Sequence, residues 1–289
     1  MSEPIRGSEA VAAGAVFKSA LRSRYRRIFP DVYVNREADL TPVTLAKAGW
    51  LWSGRTGVVA GRSAAAMHGA AWISTDQPVD VLHSNRSTPV GITARGDRTA
   101  ADEICVIDGV SVTTPARTAL DVGCWYPVGQ ALQILDALAA ETHFDPAEPV
   151  ALAERYPGRR GIRNARRALS LVDAGAQSPR ESWLRLLLID GGLPRPQTQI
   201  PVRDESGTVI AYLDMGWEEF MVAVEYDGEQ HRTDRRQYTW DVRRLELLEH
   251  LGWIVVRVVV GDRREDILRR VRVALGRRTS LQSDVGRSA

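Results

Sequence analysis

The stretch from Val209 to Asp227 constrains this chain most. Two apolar runs, Val209 to Trp217 and Phe220 to Asp227, are separated only by Glu218-Glu219, and this spacing predicts a β-hairpin. Side chains alternate along a strand, so Glu225 and Asp227 share one face while Val222, Val224 and Tyr226 share the other. Asp214 falls opposite Ala223 to Glu225, where cross-strand neighbours stand about 5 Å apart. Three carboxylates brought together repel and raise one another's pKa, and a divalent cation relieves that conflict. Mg²⁺ takes oxygen ligands and keeps waters of its own, with Mn²⁺ as a substitute, and such an ion supports phosphodiester hydrolysis. Asp214, Glu225 and Asp227 are therefore the expected metal ligands, and no organic cofactor is expected.

Three further residues surround this cluster. Glu181 belongs to Ser178-Pro179-Arg180-Glu181, which reads either as a capping box or as a glutamate reaching the metal from the first turn of a helix. His231 follows the strand end closely, as a structural loop residue or as a general acid. Arg244 lies three residues after Asp241, so it serves either that ion pair or the acids and a phosphate.

Around the hairpin the pattern reads helix (179–190), extended segment (198–202), helix (234–251), strand (253–260) and helix (263–276). This predicts an α/β module over 178–278 with a mixed sheet flanked by helices, then a disordered tail over 279–289. The earlier chain predicts an α+β domain over 1–125. It has one Ala-rich helix from Ser8 to Leu21, a helix opened by Thr41-Pro42, a strand at Val79 to His83, and a hairpin over Ile104 to Thr113 turning at Asp108-Gly109. Helices follow one another after Pro115, and 126–177 reads as a helical connector. Its Arg155-to-Arg167 run holds six arginines and no acid: a solvated face, or a phosphate-contacting patch through Arg159, Arg160 and Arg163. Arg22, Arg24, Arg26 and Arg27 flank Tyr25 as a solvated helix end or a phosphate grip, with Arg24 and Arg27 the candidate contacts.

Composition narrows the options. At 289 residues and 44% hydrophobic content the chain can bury two cores, and a net charge of +2 means that nucleic-acid contact must come from local patches. Lys18 and Lys47 are the only lysines, so chemistry in the C-terminal half cannot use one. Cys105 and Cys124 are too few and too badly spaced for a disulfide framework or a zinc site. No apolar run approaches a membrane span or a signal peptide, which predicts a soluble cytoplasmic protein with no membrane partner.

Taken together, the Glu181 helix, Gly191-Gly192-Leu193-Pro194, Asp214, Val224-Glu225-Tyr226-Asp227-Gly228, His231, Asp241, Arg244 and Gly252-Trp253-Ile254-Val255-Val256-Arg257 resemble a family related to the very-short-patch-repair endonucleases, within the PD-(D/E)XK nuclease superfamily. The resemblance implies a restriction-endonuclease-like fold, Mg²⁺ dependence and DNA cleavage, with Glu181, Asp214 and Glu225 at the metal. Asp227 stands where many members carry lysine. The similar repair endonucleases also lack that lysine and use a nearby histidine, which points to His231.

The N-terminal half is similar to AbiEi-type antitoxin and transcriptional regulator proteins. The resemblance rests on Arg27 to Val34, Ala64-Ala65-Ala66-Met67-His68-Gly69 and above all Val112-Thr113-Thr114-Pro115-Ala116-Arg117-Thr118-Ala119-Leu120-Asp121. It implies a winged-helix-like start, DNA as a partner and a toxin–antitoxin partner protein. The leading expectation is a Mg²⁺-dependent DNA endonuclease in defence or repair. The alternative is a non-enzymatic DNA-binding regulator or antitoxin with a degenerate nuclease module. A third is a toxin that cuts nucleic acid once freed from a partner.

Overall fold

The computed structural model describes residues 3–285 apart from 86, 205 and 229–234, and of the side chains of 235–242 and 280–285 nothing is described. The chain is mixed α/β and divides into two compact units, Met1–Ala174 and Gly175–Ala289. No helix among the described residues is long and apolar enough to cross a membrane.

The first unit opens with β1 (Ile5–Arg6), α1 (Gly7–Ala12), α2 (Lys18–Arg24), β2 (Tyr25–Phe29) and β3 (Val32–Asn35). The strands form an antiparallel sheet in the order β1-β3-β2. Where the Ala-rich composition predicts one helix over Ser8–Leu21, there are two. Gly14 takes a φ of +69°, the left-handed conformation that ends helices, and the chain re-enters α2 through an extended Phe17. The result is a helix, a turn, a second helix and a β-hairpin.

Next come α3 (Pro42–Trp52), β4 (Val58–Val59), α4 (Gly61–Met67), β5 (Val79–Leu82), β6 (Ile92–Arg95), β7 (Ile104–Ile107) and β8 (Val110–Thr113). Thr41 caps α3 by accepting from the Thr44 amide at 3.1 Å, with Pro42 in the first turn. The five strands form a mixed sheet in the order β6-β5-β4-β8-β7. β7 and β8 turn at Asp108 (φ +50°) and Gly109 (φ +78°), both left-handed, as the Asp-Gly pair predicts.

Four helices complete the unit: α5 (Pro115–Trp125), α6 (Val128–Thr142), α7 (Ala147–Glu154) and α8 (Ile162–Ser170). Ala119, Val122, Leu135, Leu138, Ala168 and Leu169 bury one shared core, so the segment expected to be a connector folds into this unit. The helices pack closely through glycine. A Cβ on Gly123 would meet the Ala165 Cα at 2.7 Å, and one on Gly161, whose φ is +85°, would meet the Cys124 carbonyl oxygen at 2.1 Å. Gly161→Ala is therefore expected to destabilise the unit by about 2 kcal/mol from left-handed backbone strain and the carbonyl clash. Urea denaturation would measure this, and a loss within experimental error would refute the close seating.

The second unit contains α9 (Pro179–Asp190), β9 (Gln197–Arg203), β10 (Val209–Trp217), β11 (Val222–Asp227), α10 (Arg235–His250), β12 (Ile254–Val259) and α11 (Arg264–Val285). Its sheet runs β12-β11-β10-β9, with β11 and β12 parallel and the other neighbours antiparallel. Leu184, Leu187 and Leu188 of α9 and Ile267, Leu268 and Val271 of α11 bury Met215, Val222, Val224 and Val256. Leu248 of α10 packs with Ile200, Leu213, Ala223 and Trp253. The chain at Phe220 is a short 3-10 turn rather than strand. α11 continues to Val285, past the expected start of the tail at Thr279, because no glycine or proline interrupts 279–285.

Candidate functional site

The hairpin of the second unit brings Asp214 and Glu225 together, and α9 adds Glu181. The β10–β11 register pairs Met215 with Val224 and Gly216 with Ala223, which sets Asp214 one step further along, beside Glu225. Asp214 accepts from the Tyr226 amide at 3.0 Å. Across the sheet on its other side, Gln199 sits at a φ of +49°, a left-handed conformation unusual within a strand. Glu181 occupies the first turn of α9 and is 8% exposed. Burial, then the charges of Glu181 and Glu225, push the Asp214 carboxyl up to about 7, with the Tyr226 amide and Arg244 pulling the other way. The Glu181 carboxyl is raised as well, chiefly by burial.

The remaining bonds of these acids decide what they can do. Arg244 of α10 grips Glu225 with both nitrogens, Nη1 at 3.0 Å and Nη2 at 2.6 Å, and Nη2 also donates to the Tyr212 carbonyl at 2.8 Å. Arg244 thus reaches the acids, while its alternative partner, the Asp241 side chain, lies outside the described residues. Glu181 accepts from the Gln177 amide and from the Ser178 hydroxyl, each at 2.9 Å, while Ser178 Oγ accepts from the Glu181 amide at 3.1 Å. The glutamate thus closes a capping box and still acts on Asp214. Asp227 is turned to Arg257 of the neighbouring strand at 2.6 Å. Among the described residues, no group of three or more His, Cys, Asp or Glu side chains is arranged to hold a metal ion. His231 and the Asp241 side chain lie outside the described residues.

The expected arginines of the first unit separate into different surroundings. Arg159 is 8% exposed and bonds Asp121 at 2.6 Å and Asp97 at 3.2 Å, so it serves an internal network. Arg160 lines a cavity, while Arg163 is exposed on α8. Arg24 is exposed at the end of α2, and Arg27 lines a groove of about 600 Å³.

That groove gathers Lys18 and Arg22 of α2, Arg27 of β2, Arg36 after β3, and the rings of Tyr25 and Tyr33. Lys18 and Arg22 are four residues apart and share a helix face. Asp31 is the acid of the lining, and it is already occupied by the Ser8 amide at 2.8 Å and hydroxyl at 2.5 Å. Four cations thus face one satisfied carboxylate. Lys18 and Arg36 were not among the sequence candidates. Lys18 is separated from the arginine run by one helical turn, and only the hairpin brings Arg36 back beside it.

A second constellation explains the stretch from Thr113 to Asp121. Thr114 caps α5 and Pro115 opens it. Arg117, buried in this helix, donates to Asp121 at 2.8 Å and to Glu103, while Tyr156 donates to Glu103 at 2.7 Å. Burial opposes the charge on Arg117, but Asp121 and Glu103 more than compensate and raise its pKa.

No solved structure gives a significant match. Two uncharacterised proteins of Mycobacterium tuberculosis are similar, MT2308 of strain CDC 1551 / Oshkosh and Rv2248 of strain ATCC 25618 / H37Rv. Each is 34% identical over 160 residues, a span of 55% of this chain and 59% of the relative. The chain thus matches less than two thirds of the length of these relatives. Residues 57–174, from the turn before β4 through α8, match the family model described as the AbiEi antitoxin C-terminal domain.

Proposed function

We propose that this protein is a DNA-binding regulator of the antitoxin type. The observation that carries the reading is the basic groove of the first unit. It lies on a helix–turn–helix followed by a β-hairpin, the element order of a winged helix, in which the second helix enters the major groove. Lys18 and Arg22 project from that second helix, and the hairpin supplies Arg27. The AbiEi match over 57–174 supports a role in a toxin–antitoxin system, with a toxin as the protein partner.

Fluorescence anisotropy on a duplex from the region upstream of the coding sequence tests this. Lys18→Ala/Arg22→Ala is expected to weaken binding roughly tenfold and to reduce the salt dependence by about 0.9 for each lost phosphate contact. Asp214→Ala should leave it unchanged. Binding that ignores the double substitution would overturn the reading.

One observation favours a second reading, metal-dependent phosphodiester hydrolysis by the second unit. Asp214 is held at about 7 by burial beside two other carboxylates, a state that a cation would relieve. The donor set opposes it. Both oxygens of Glu225 are taken by Arg244, those of Glu181 by its cap, and Asp227 by Arg257. As arranged, these residues do not fit a resident Mg²⁺ or Mn²⁺, and the unit is better read as a nuclease-like platform neutralised by its own arginines. A rise in the wild-type melting temperature on adding Mg²⁺ at pH 8, absent in Asp214→Asn, would restore the hydrolytic reading.

A further inference from the structure

The end of β6, the C-terminal end of α5 and Arg160 enclose a cavity of about 550 Å³ in the first unit, within the size range that takes a small molecule. Its lining includes Arg95, Asp97, Cys124, Trp125 and Arg160. The Arg95 guanidinium lies 4.2 Å from the centroid of the Trp125 ring. Such stacking fixes a guanidinium plane and leaves its N–H edge in need of acceptors. Asp80 Oδ1 stands 3.7 Å from Arg95 Nε, an ion pair without a hydrogen bond, while Asp80 Oδ2 accepts from the Tyr126 hydroxyl. Arg95 Nε is buried with no hydrogen-bond acceptor among the described residues. Buried donors in native proteins are ordinarily paired.

Asp80 is shared with Arg62, so one carboxylate serves two guanidinium groups. Asp97 is the acid of the lining, and Arg159 neutralises it at 3.2 Å. Arg159 Nη1 is itself buried without an acceptor. The Cys124 thiol, pushed up to about 11 mainly by burial, is neutral and contributes no charge. Arg160 lines the cavity next to Gly161, where the backbone seats closely against the Cys124 carbonyl. Two guanidinium groups therefore face a concave space with an aromatic wall and no free acid.

We propose that this cavity binds a small phosphate-bearing ligand of about mononucleotide size. Guanidinium pairs bind phosphate oxygens bidentately, and two cations match the charge of a phosphate monoester. The site is separate from the groove of α2; of its arginines, Arg160 was expected in a nucleic-acid patch and Arg95 was not among the candidates.

Calorimetric titration of the full chain with inorganic phosphate, pyrophosphate and a nucleoside monophosphate tests the proposal. Saturable one-site binding is expected for at least one of them. Arg160→Gln and Arg95→Gln should each weaken it about tenfold or more. Arg163→Gln, on an exposed residue outside the lining, should not change it. Arg160 is exposed, so its substitution should leave the melting temperature unchanged and separate lost binding from lost folding. The proposal is overturned by no saturable heat up to about 10 mM of any probe, or by binding that Arg160→Gln leaves intact. It is also overturned if only a DNA duplex binds and loses affinity in Arg160→Gln, because the surface would then be a polymer contact.

Discussion

Arg117→Met is expected to destabilise the first unit by about 3–5 kcal/mol, the cost of removing one partner from a buried ion network. Arg117 is 0% exposed, as is Asp121, and Glu103 is 2% exposed. Methionine fills much of the volume but leaves Glu103 with Tyr156 and the partly exposed Arg155, and Asp121 with Arg159 alone. The loss is electrostatic rather than a cavity, and a second substitution separates the two. Adding Glu103→Gln to Arg117→Met removes one uncompensated charge and should recover part of the stability. A melting temperature lowered by roughly 10 °C in the single variant would be the corresponding thermal signal. A loss under about 1 kcal/mol, or no recovery in the double variant, would mean that the network is open to water.

The same network shows why the arginine run between Arg155 and Arg167 was hard to read. Counted along the chain, it has no acid. In the fold Arg155 meets Asp102 from 53 residues away and Arg159 meets Asp121 from 38. A run that reads as one basic face is therefore shared among one ion network centred on Arg117, a cavity and an exposed helix. Local signals were better guides. The caps at Thr41 and Ser178, the Asp108-Gly109 turn and the alternation through β10 and β11 depend on neighbours within a few residues, and all of these appear where the pattern puts them. The break at Gly14 was missed because alanine content outweighed one glycine.

The acidic cluster divides along the same line. The period of two and the length of the turn were enough to bring Asp214 beside Glu225, and the capping box was enough to put Glu181 in the first turn of α9. Their neutralisation was not legible, because Arg244 arrives from the next helix and Arg257 from the next strand. This distinction matters for function. A set of carboxylates identifies a metal site only when their counter-charges are not already supplied by the fold, and here two of the acids carry their own arginine.

Asp214 carries none, and its titration separates the two readings of the second unit. Its carboxyl ordinarily titrates at 3.8 and is raised to about 7 in the fold. A raised carboxyl stabilises the fold in its protonated form, fully below about pH 4, and that contribution is lost as the pH rises through 7. The difference amounts to on the order of 4 kcal/mol by pH 8. Asp214→Asn keeps an oxygen for the Tyr226 amide and never ionises. It should match the wild type below about pH 4 and melt roughly 10 °C higher at pH 8, when melting of the second unit is followed. Mg²⁺ discriminates further. A cation seated on the ionised carboxylate would lower its pKa and flatten the wild-type pH dependence, whereas a platform closed by Arg244 would show the same slope with and without the ion. Parallel melting curves for wild type and Asp214→Asn at every pH from 5 to 8 would mean that Asp214 is hydrated and ionised like a surface carboxylate, and the buried cluster would lose its basis.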